Sequence, residues 1–265
     1  MDRWVAAATG YRRGMPGIFL LAGMGLQFPP ESIVLSVGPD GSPQMDVNQV
    51  LVRLDLWPTW LEVGCVHAEQ ARVANERLAS DLPDAEKYAI LTDELQAGLV
   101  AVTSFGFAFD GFYDTLKAEF GPHPDEAAWK RNRTARDAQV ADTLRYHLKL
   151  GPNFSKQLRQ VLKELFDFRS RAVHPTSKYV APNYRPQIDS GVHPHLITFS
   201  GPHCVQIRAL ALGLLGRLVE QAATVSKSGA DTGWLDRGRA ELDRLSAVYR
   251  IPGDDLIAFP QHPAP

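Results

Sequence analysis

Residues 89–120 read AILTDELQAGLVAVTSFGFAFDGFYDTLKAEF, and this stretch decides the fold class. Its apolar side chains recur at intervals of three and four residues, which is the spacing of one face of an α-helix. They are Leu95, Leu99, Val102, Phe109, Tyr113, Leu116 and Phe120. The pattern predicts a long central helix. Because Phe105, Phe107 and Phe112 widen the apolar face, we expect this helix to contact neighbours on more than one side.

Helical patterns also lie on both sides of the central helix. The segments predicted to be helical are residues 57–80, 125–149, 154–173, 205–225 and 232–249. The fourth of these is apolar nearly all round, which indicates either a buried helix or part of an oligomer interface. The chain is therefore predicted to be mainly α-helical.

The N-terminal region has a different character. Short β-leaning runs, IVLSV at 33–37 and VNQVLVRL at 47–54, are separated by proline- and glycine-rich turns. We therefore divide the chain into a β-containing region at 1–60, a helical domain at 61–250 with its core at about 89–226, and a C-terminal tail at 251–265.

An apolar run, MPGIFLLAGMGL, occupies residues 15–26. Its length is well below the ~20 residues that a membrane helix requires. No small-residue cleavage site follows it, so the pattern favours a buried strand or hairpin arm over a targeting segment. No membrane partner is expected from this run.

The overall charge excludes a generally basic nucleic-acid-binding protein. There are 28 Lys and Arg residues against 30 Asp and Glu residues, so any contact with nucleic acid must be local. The only cysteines, Cys65 and Cys204, do not make a disulfide framework, which favours a reducing, cytoplasmic location. No cofactor motif is present, and the histidines around residues 193–203 do not match a structural zinc spacing, so no metal is expected.

The segment after the helix at 154–173 is rich in proline. Residues 174–202 read HPTSKYVAPNYRPQIDSGVHPHLITFSGP, which predicts an extended hairpin with tight turns and no helix.

A charged residue interrupts the apolar stripe of the helix that precedes this hairpin. Leu158, Leu162 and Leu165 continue, at the same spacing, to Arg169. A buried, unpaired guanidinium is costly, so Arg169 should meet a carboxylate or a polar cleft. Asp110 on the central helix is a candidate partner, together with Asp114 one turn later.

His174 follows Arg169 by five residues and precedes Pro175. A residue before proline is displaced from helical geometry, so the His174 ring is expected to turn back towards the side of Arg169. A histidine beside a fixed positive charge suits proton transfer in phosphodiester chemistry. The alternative is structural, because both residues favourably meet the negative end of a helix.

Two groups of basic residues are candidates for an RNA-backbone patch. They are Lys130, Arg131, Arg133 and Arg136 in the first group and Lys156, Arg159 and Lys163 in the second. The first group spans about two helical turns and cannot share one face, which favours a solvated basic surface over an RNA-backbone patch. The second group shares one face of its helix.

The segment LFDFRSRAVHP, residues 165–175, resembles the R-x4-H motif of the HEPN (higher eukaryote and prokaryote nucleotide-binding) superfamily. FAFDGFYDTL at 107–116 and RTARDAQVADTLRYHLKL at 133–150 also resemble helices of bacterial HEPN-like proteins. The likeness covers about residues 89–226.

This resemblance implies a HEPN-like helical bundle that forms a homodimer with the motifs facing each other. It implies a metal-independent endoribonuclease of a toxin or defence system, with a regulator or antitoxin as a further partner. Arg169 would contact the phosphate and His174 would be the acid or base. Ser170 stands where many nuclease members carry an amide or acid, and it would support the site together with Asp110. The alternative is a non-catalytic binding or scaffold protein of the same fold.

Overall fold

In a computed structural model of the chain, the described residues are 24–30, 32–47, 50–174, 178–226 and 232–249. This part of the chain is mainly helical, with eight α-helices and three two-stranded antiparallel sheets. The chain forms two units, residues 1–55 and 56–265. The helical unit thus begins at residue 56, whereas the sequence placed the division at residue 60.

The first unit consists of two strand pairs. Strand β1 (Met24–Gln27) pairs with β4 (Leu51–Leu54), and β2 (Ile33–Val37) pairs with β3 (Pro43–Val47). Gly41 has a φ of 78° in the turn between β2 and β3, which glycine adopts without steric cost. Most of the predicted apolar arm at 15–26 lies outside the described residues, apart from its last three, which belong to β1.

The helical unit begins with an antiparallel helix pair, α1 (Trp57–Glu76) and α2 (Asp84–Phe120). Two glycines permit the close approach of these helices. A Cβ on Gly64 would lie 2.6 Å from the Phe105 ring, and one on Gly111 would lie 3.1 Å from the Trp57 Cβ. The long central helix predicted from residues 89–120 is confirmed, and it begins earlier than expected, directly after Pro83.

Helix α2 is the centre of the main hydrophobic core. Phe105, Phe109 and Phe112 are fully buried, and the core includes residues of α1, α4, α5, α7 and α8. By length and composition, α2 is also the one described helix that is long and apolar enough to cross a membrane. This is weak evidence for a membrane span, because 56% of its most apolar window is buried inside the protein.

The single helix expected at 125–149 is divided into α3 (Glu126–Asn132) and α4 (Arg136–Leu148). The division occurs at Arg133, whose φ of 52° is left-handed. No glycine or proline marks this position in the sequence. Trp129 stacks on His123 with ring centroids 4.5 Å apart, which fixes α3 against the preceding loop.

Helix α5 (Pro152–Val173) carries the candidate motif near its C-terminal end. Its N-cap is Gly151, and neither Asn153 nor Ser155 caps the helix. Proline is favoured at the first helical position, which places the start one residue before Asn153. Ser155 instead donates its hydroxyl to the carbonyl oxygens of Leu150 and Gly151.

Residues 178–200 form a segment that we call the strap. It contains β5 (Asn183–Arg185), which pairs with β6 (Ser190–Val192), and so includes the predicted hairpin. It also contains a one-turn helix, α6 (His195–Thr198), where the sequence predicted no helix. Pro194 precedes this helix, at a position where its fixed φ does not interrupt helical hydrogen bonds.

Two further helices complete the bundle, α7 (Gly201–Val225) and α8 (Gly233–Tyr249). Helix α7 packs mainly against α1, α2 and α8. Its apolar residues are buried on the side that faces the core, including Ile207, Leu215 and Val219. Leu210 and Leu212 on the same helix are only partly buried.

Candidate functional site

Arg169 lies on α5 and reaches across to α2. Its Nη1 donates to the carboxylate of Asp110, in the kind of pairing that a guanidinium in an apolar stripe requires. Gly106 leaves the space for this crossing, since a Cβ there would lie 2.7 Å from Cδ of Arg169. The guanidinium lies over the rings of Phe107 and Phe166, with its central carbon 4.5 and 5.3 Å from their centroids. Contacts with Asp110, Phe107 and Phe166 therefore fix the position of the Arg169 guanidinium.

Asp110 also accepts a hydrogen bond of 2.7 Å from Nε of Arg136. The guanidinium of Arg136 lies 4.3 Å from the centroid of the Tyr113 ring and 3.6 Å from the Asp114 carboxylate. Two arginines therefore share one carboxylate, and Asp114 is associated with Arg136 and not with Arg169. The side chain of Arg136 is 40% exposed, but the carboxylates of Asp110 and Asp114 offset its charge.

His174 is the C-cap residue of α5, with φ −121° and ψ 68°. Its backbone N–H donates to the carbonyl of Ser170 over 2.8 Å, and its side chain is exposed. Within the described part of the chain, no hydrogen bond, ion pair or ring contact involves its imidazole. The non-helical backbone fits a residue that precedes proline, although Pro175 itself lies outside the described residues.

The structure does not bring the side chains of Arg169 and His174 into contact within the described residues. Arg169 is directed towards α2, whereas His174 is exposed at the helix end. Ser170 is exposed as well, and its described interaction is the backbone hydrogen bond to His174. The two motif residues are therefore near in sequence but have separate environments.

The other basic residues proposed for RNA binding are exposed. Lys130, Arg131 and Arg133 surround the end of α3, and Lys130 Nζ lies 3.7 Å from the Glu126 carboxylate. Lys156, Arg159 and Lys163 lie on the outer face of α5.

Lys156 and Arg159 also line a groove of about 610 Å³ between α4 and α5, in which Arg145 supplies a third cation. Asp142 lies 3.8 Å from both Arg145 and Arg159, so it offsets part of this charge. The sequence did not indicate Arg145, because it lies on α4, whereas Lys156 and Arg159 lie on α5.

The strap carries a pair of histidines, His193 and His195. Nδ1 of His193 accepts a hydrogen bond of 3.2 Å from the backbone N–H of His195, and the two rings are 4.8 Å apart. Burial lowers the pKa of His195 below its usual value, and the charges of His193 and Arg171 lower it further.

A buried ion pair fixes the strap. Nη2 of Arg185 donates to Oε2 of Glu94 on α2, and Nη1 donates to the carbonyl of Leu196 in α6. The other oxygen of Glu94 accepts hydrogen bonds from the side chain of Asn75 and from the backbone N–H of Gly201. The carboxylate therefore ties together α1, α2, the strap and the start of α7.

In the described ranges, no group of three or more His, Cys, Asp or Glu side chains is placed to hold a metal ion. His203 packs edge-on against Phe168 of α5, with ring centroids 5.0 Å apart. Cys204 is fully buried in the core, where burial raises the pKa of its thiol to about 12.

Comparison of the chain with models of protein families, with curated proteins and with solved structures found no match.

Proposed function

We propose that this protein is a HEPN-like, metal-independent endoribonuclease of a bacterial defence or toxin system, working in the cytoplasm as a homodimer. The observation that carries the proposal is the exposed imidazole of His174 at the end of α5, one helical turn beyond an arginine in a fixed position. The R-x4-H spacing and the mainly helical architecture support it.

The chemistry requires no metal ion. The 2′ oxygen of RNA forms a bond to the adjacent phosphorus as its proton is removed, and the bond between phosphorus and the 5′ oxygen breaks. His174 acts as the base that takes the 2′-hydroxyl proton or as the acid that protonates the leaving 5′ oxygen, and the products are a 2′,3′-cyclic phosphate and a 5′-hydroxyl. Arg169 offsets negative charge that develops on the phosphate. Because Asp110 and the rings of Phe107 and Phe166 already orient Arg169, little conformational freedom is lost when a phosphate arrives.

Exposed cations would hold the rest of the RNA chain. Lys156, Arg159 and Lys163 run along α5 away from His174 and so extend the site along one helix. Phosphate neutralisation by such residues makes binding salt-dependent and largely independent of sequence. Lys130, Arg131 and Arg133 are also exposed and could contact phosphates, whereas Arg136 is ion-paired with Asp110.

The test is cleavage of a single-stranded RNA in the presence of a chelator. We expect the wild-type protein to cleave it and His174→Ala to lose about 100-fold or more of the rate. Since His174 is exposed, its replacement should leave the unfolding midpoint unchanged, which separates loss of chemistry from loss of fold. Equal activity in the two proteins, or none in either, would contradict the proposal.

A second candidate function is favoured by one observation. Asp110 already neutralises Arg169, which is the arrangement of an ion pair that organises a fold or an interface. On this alternative the protein is a non-catalytic helical binding or scaffold protein that dimerises through the motif region. RNA that binds the wild-type protein but is never cleaved, with chelator or with added divalent metal, would favour it.

A further inference from the structure

The connected ends of α4 and α5 border a groove of about 610 Å³, and three cations line it. Arg145 comes from α4, and Lys156 and Arg159 come from α5. Asp142 is the one acid among the lining residues, so positive charge exceeds negative charge here, in a chain whose formal net charge is −2. We call the lining residues the α4–α5 groove, and they are Ala141, Asp142, Arg145, Leu150, Pro152, Ser155, Lys156 and Arg159.

Asp142 holds the two arginines of the groove close together. Nε of Arg145 and Nη1 of Arg159 each lie 3.8 Å from the same oxygen, Oδ1 of Asp142. The carboxylate therefore offsets the repulsion between the two guanidinium groups. A phosphate that accepts hydrogen bonds of about 2.8 Å on two of its oxygens spans a similar separation, so one phosphate can contact both arginines.

The two guanidinium groups keep N–H donors for a ligand. At 3.8 Å their contacts with Asp142 are ion pairs, longer than the charge-assisted hydrogen bond of about 2.7–2.9 Å. Among the described residues, no hydrogen bond uses the side chain of Arg145, Lys156 or Arg159. The side chains of Arg145 and Arg159 are 57% and 60% exposed, so a ligand in the groove reaches them without a movement of either helix.

The chemistry of the groove matches a phosphate with part of a nucleotide attached. Its volume lies within the range of about 300–1,000 Å³ that ligand sites occupy. The planar fork of a guanidinium fits the geometry of phosphate oxygens. Ala141, Leu150 and Pro152 add apolar surface, which can contact the sugar or base that adjoins the phosphate.

Helix α5 connects the groove with the exposed imidazole of His174. The helix is continuous from Pro152 to Val173, and Lys156 precedes His174 by about five helical turns. Lys156, Lys163 and His174 therefore share one exposed side of α5. The exposed Asp167 is also on this side, so the concentrated positive charge is in the groove. At 1.5 Å per residue, the groove lies roughly 25 Å from His174 along the helix axis.

We propose that the α4–α5 groove binds one backbone phosphate of the RNA and anchors the strand, so that a second phosphate, roughly 25 Å away, reaches His174. The inference rests on the proposed ribonuclease function and adds Arg145 and a substrate length to it. A base-stacked strand advances about 3.4 Å per nucleotide, so the two phosphates are about seven nucleotides apart. An RNA of about three nucleotides is too short to occupy both places.

The first test measures binding without cleavage. A fluorescent 2′-deoxy oligonucleotide of about twelve nucleotides, longer than the required span, is titrated with the full-length protein and followed by anisotropy. We expect Arg145→Gln and Arg159→Gln each to weaken binding about tenfold, as the loss of a charge-assisted hydrogen bond predicts. In each variant the slope of log affinity against log salt concentration should fall by about 0.7, the value for one phosphate contact on a single strand.

The matched control is Arg77→Gln, which removes one exposed positive charge at the end of α1 and should leave both affinity and slope unchanged. Inorganic phosphate and adenosine monophosphate are titrated separately by calorimetry. We expect both to bind at least about tenfold more weakly than the oligonucleotide, because neither can also contact the rest of α5. Since Arg145 and Arg159 are largely exposed, their replacement should leave the thermal unfolding midpoint unchanged.

The second test measures the cleavage of RNAs of about three and about twelve nucleotides in the presence of a chelator. The value of kcat/KM should be about tenfold or more higher for the longer RNA, because only this RNA reaches the groove. In Arg145→Gln the ratio of the two values should fall about tenfold, through a higher KM for the longer RNA, because the groove is remote from the reacting phosphate. Arg77→Gln should keep the wild-type ratio.

The outcomes separate this inference from the proposed function. If the wild-type protein cleaves RNA but Arg145→Gln and Arg159→Gln bind and cleave as it does, the assignment of the groove is wrong and the proposed function stands. If no RNA is cleaved but binding of the oligonucleotide requires Arg145 and Arg159, the proposed function fails and the groove stands as a phosphate-binding site. If inorganic phosphate or adenosine monophosphate binds as tightly as the oligonucleotide, the groove holds a free phosphate and its assignment to RNA is overturned.

Discussion

Glu94 and Arg185 form an ion pair whose two side chains are only 1% and 2% exposed, with 2.6 Å between Oε2 and Nη2. Ninety-one residues separate them in the chain. Removing one member of a buried pair leaves a charge that water cannot solvate, so we expect Arg185→Ala to lower the free energy of unfolding by about 3–5 kcal/mol. Urea denaturation measures this change.

The control for that change is a surface pair. Arg239 Nε lies 2.7 Å from Glu220, but the two side chains are 36% and 64% exposed. Arg239→Ala should therefore cost less than about 1 kcal/mol. Similar losses in the two variants would show that the strap is not fixed by the Glu94–Arg185 pair.

The carboxylate shared by two arginines provides a second prediction. Asp110→Asn keeps the shape of the side chain but removes the charge that Arg169 and Arg136 both contact. We expect a loss of about 1–3 kcal/mol in the free energy of unfolding, as for hydrogen bonds to charged groups. Asp114→Asn, one turn later and 67% exposed, should cost less than about 1 kcal/mol, and equal effects in denaturant titrations would argue against a special role for Asp110.

Gly106 provides a third prediction, because the packing effect expected of an added Cβ there is opposite to the effect of helix propensity. Alanine is favoured over glycine inside a helix by about 1 kcal/mol. At position 106, however, the added Cβ would lie 2.7 Å from Arg169 Cδ and 3.3 Å from its Cβ. We expect Gly106→Ala to destabilise the protein by about 1–3 kcal/mol, as overpacking does.

The matched variant is Gly216→Ala on α7, where nothing lies within 4 Å of the added Cβ. There the helix propensity should prevail, with a gain of up to about 1 kcal/mol. The two unfolding midpoints should therefore move in opposite directions, and a stabilising Gly106→Ala would refute the crossing of Arg169 over this glycine.

Stability should fall as the solution is acidified through the histidine range. Burial lowers the pKa of His147, and the nearby His123 and Lys149 lower it further, against a hydrogen bond to the backbone of Gly121. The unfolded chain therefore binds the proton more readily than the folded one. This stabilisation is present above the ordinary histidine pKa of about 6.5 and is lost as the pH falls below it.

The measurement compares urea unfolding at neutral pH with unfolding about 1.5 pH units lower, a range that spans the ordinary histidine pKa. The difference between the two free energies should be smaller in His147→Leu than in the wild-type protein. His195 contributes in the same direction and remains in the variant, so part of the pH dependence should persist. If the difference between the two free energies is the same in His147→Leu as in the wild type, His147 is not a source of the pH dependence.

The sequence predicted those features that rest on local periodicity. The stripe of Leu158, Leu162 and Leu165 indicated both helix α5 and the anomaly at Arg169, since a guanidinium at a core position requires a partner. The partner, Asp110, was a candidate because it lies on the same side of α2 as Asp114. Helical spacing alone did not decide which of the two carboxylates Arg169 would meet.

The features that were missed depend on long-range contacts. The break at Arg133 is made by a left-handed residue that is neither glycine nor proline, so no local signal marks it. Glu94 is one of several acidic residues on α2, and its burial depends on Arg185, far along the chain.

The central claim is tested most directly by the chemistry of the cleaved ends. A single-stranded RNA and its copy with a 2′-deoxy nucleotide at the cleaved position are incubated with the full-length protein and a chelator, and the products are analysed by mass spectrometry. We predict a 2′,3′-cyclic phosphate and a 5′-hydroxyl from the RNA and no cleavage at the 2′-deoxy position. We also predict that His174→Ala forms both products about 100-fold more slowly or slower still. Cleavage at the 2′-deoxy position, or activity that chelator abolishes, would contradict the account.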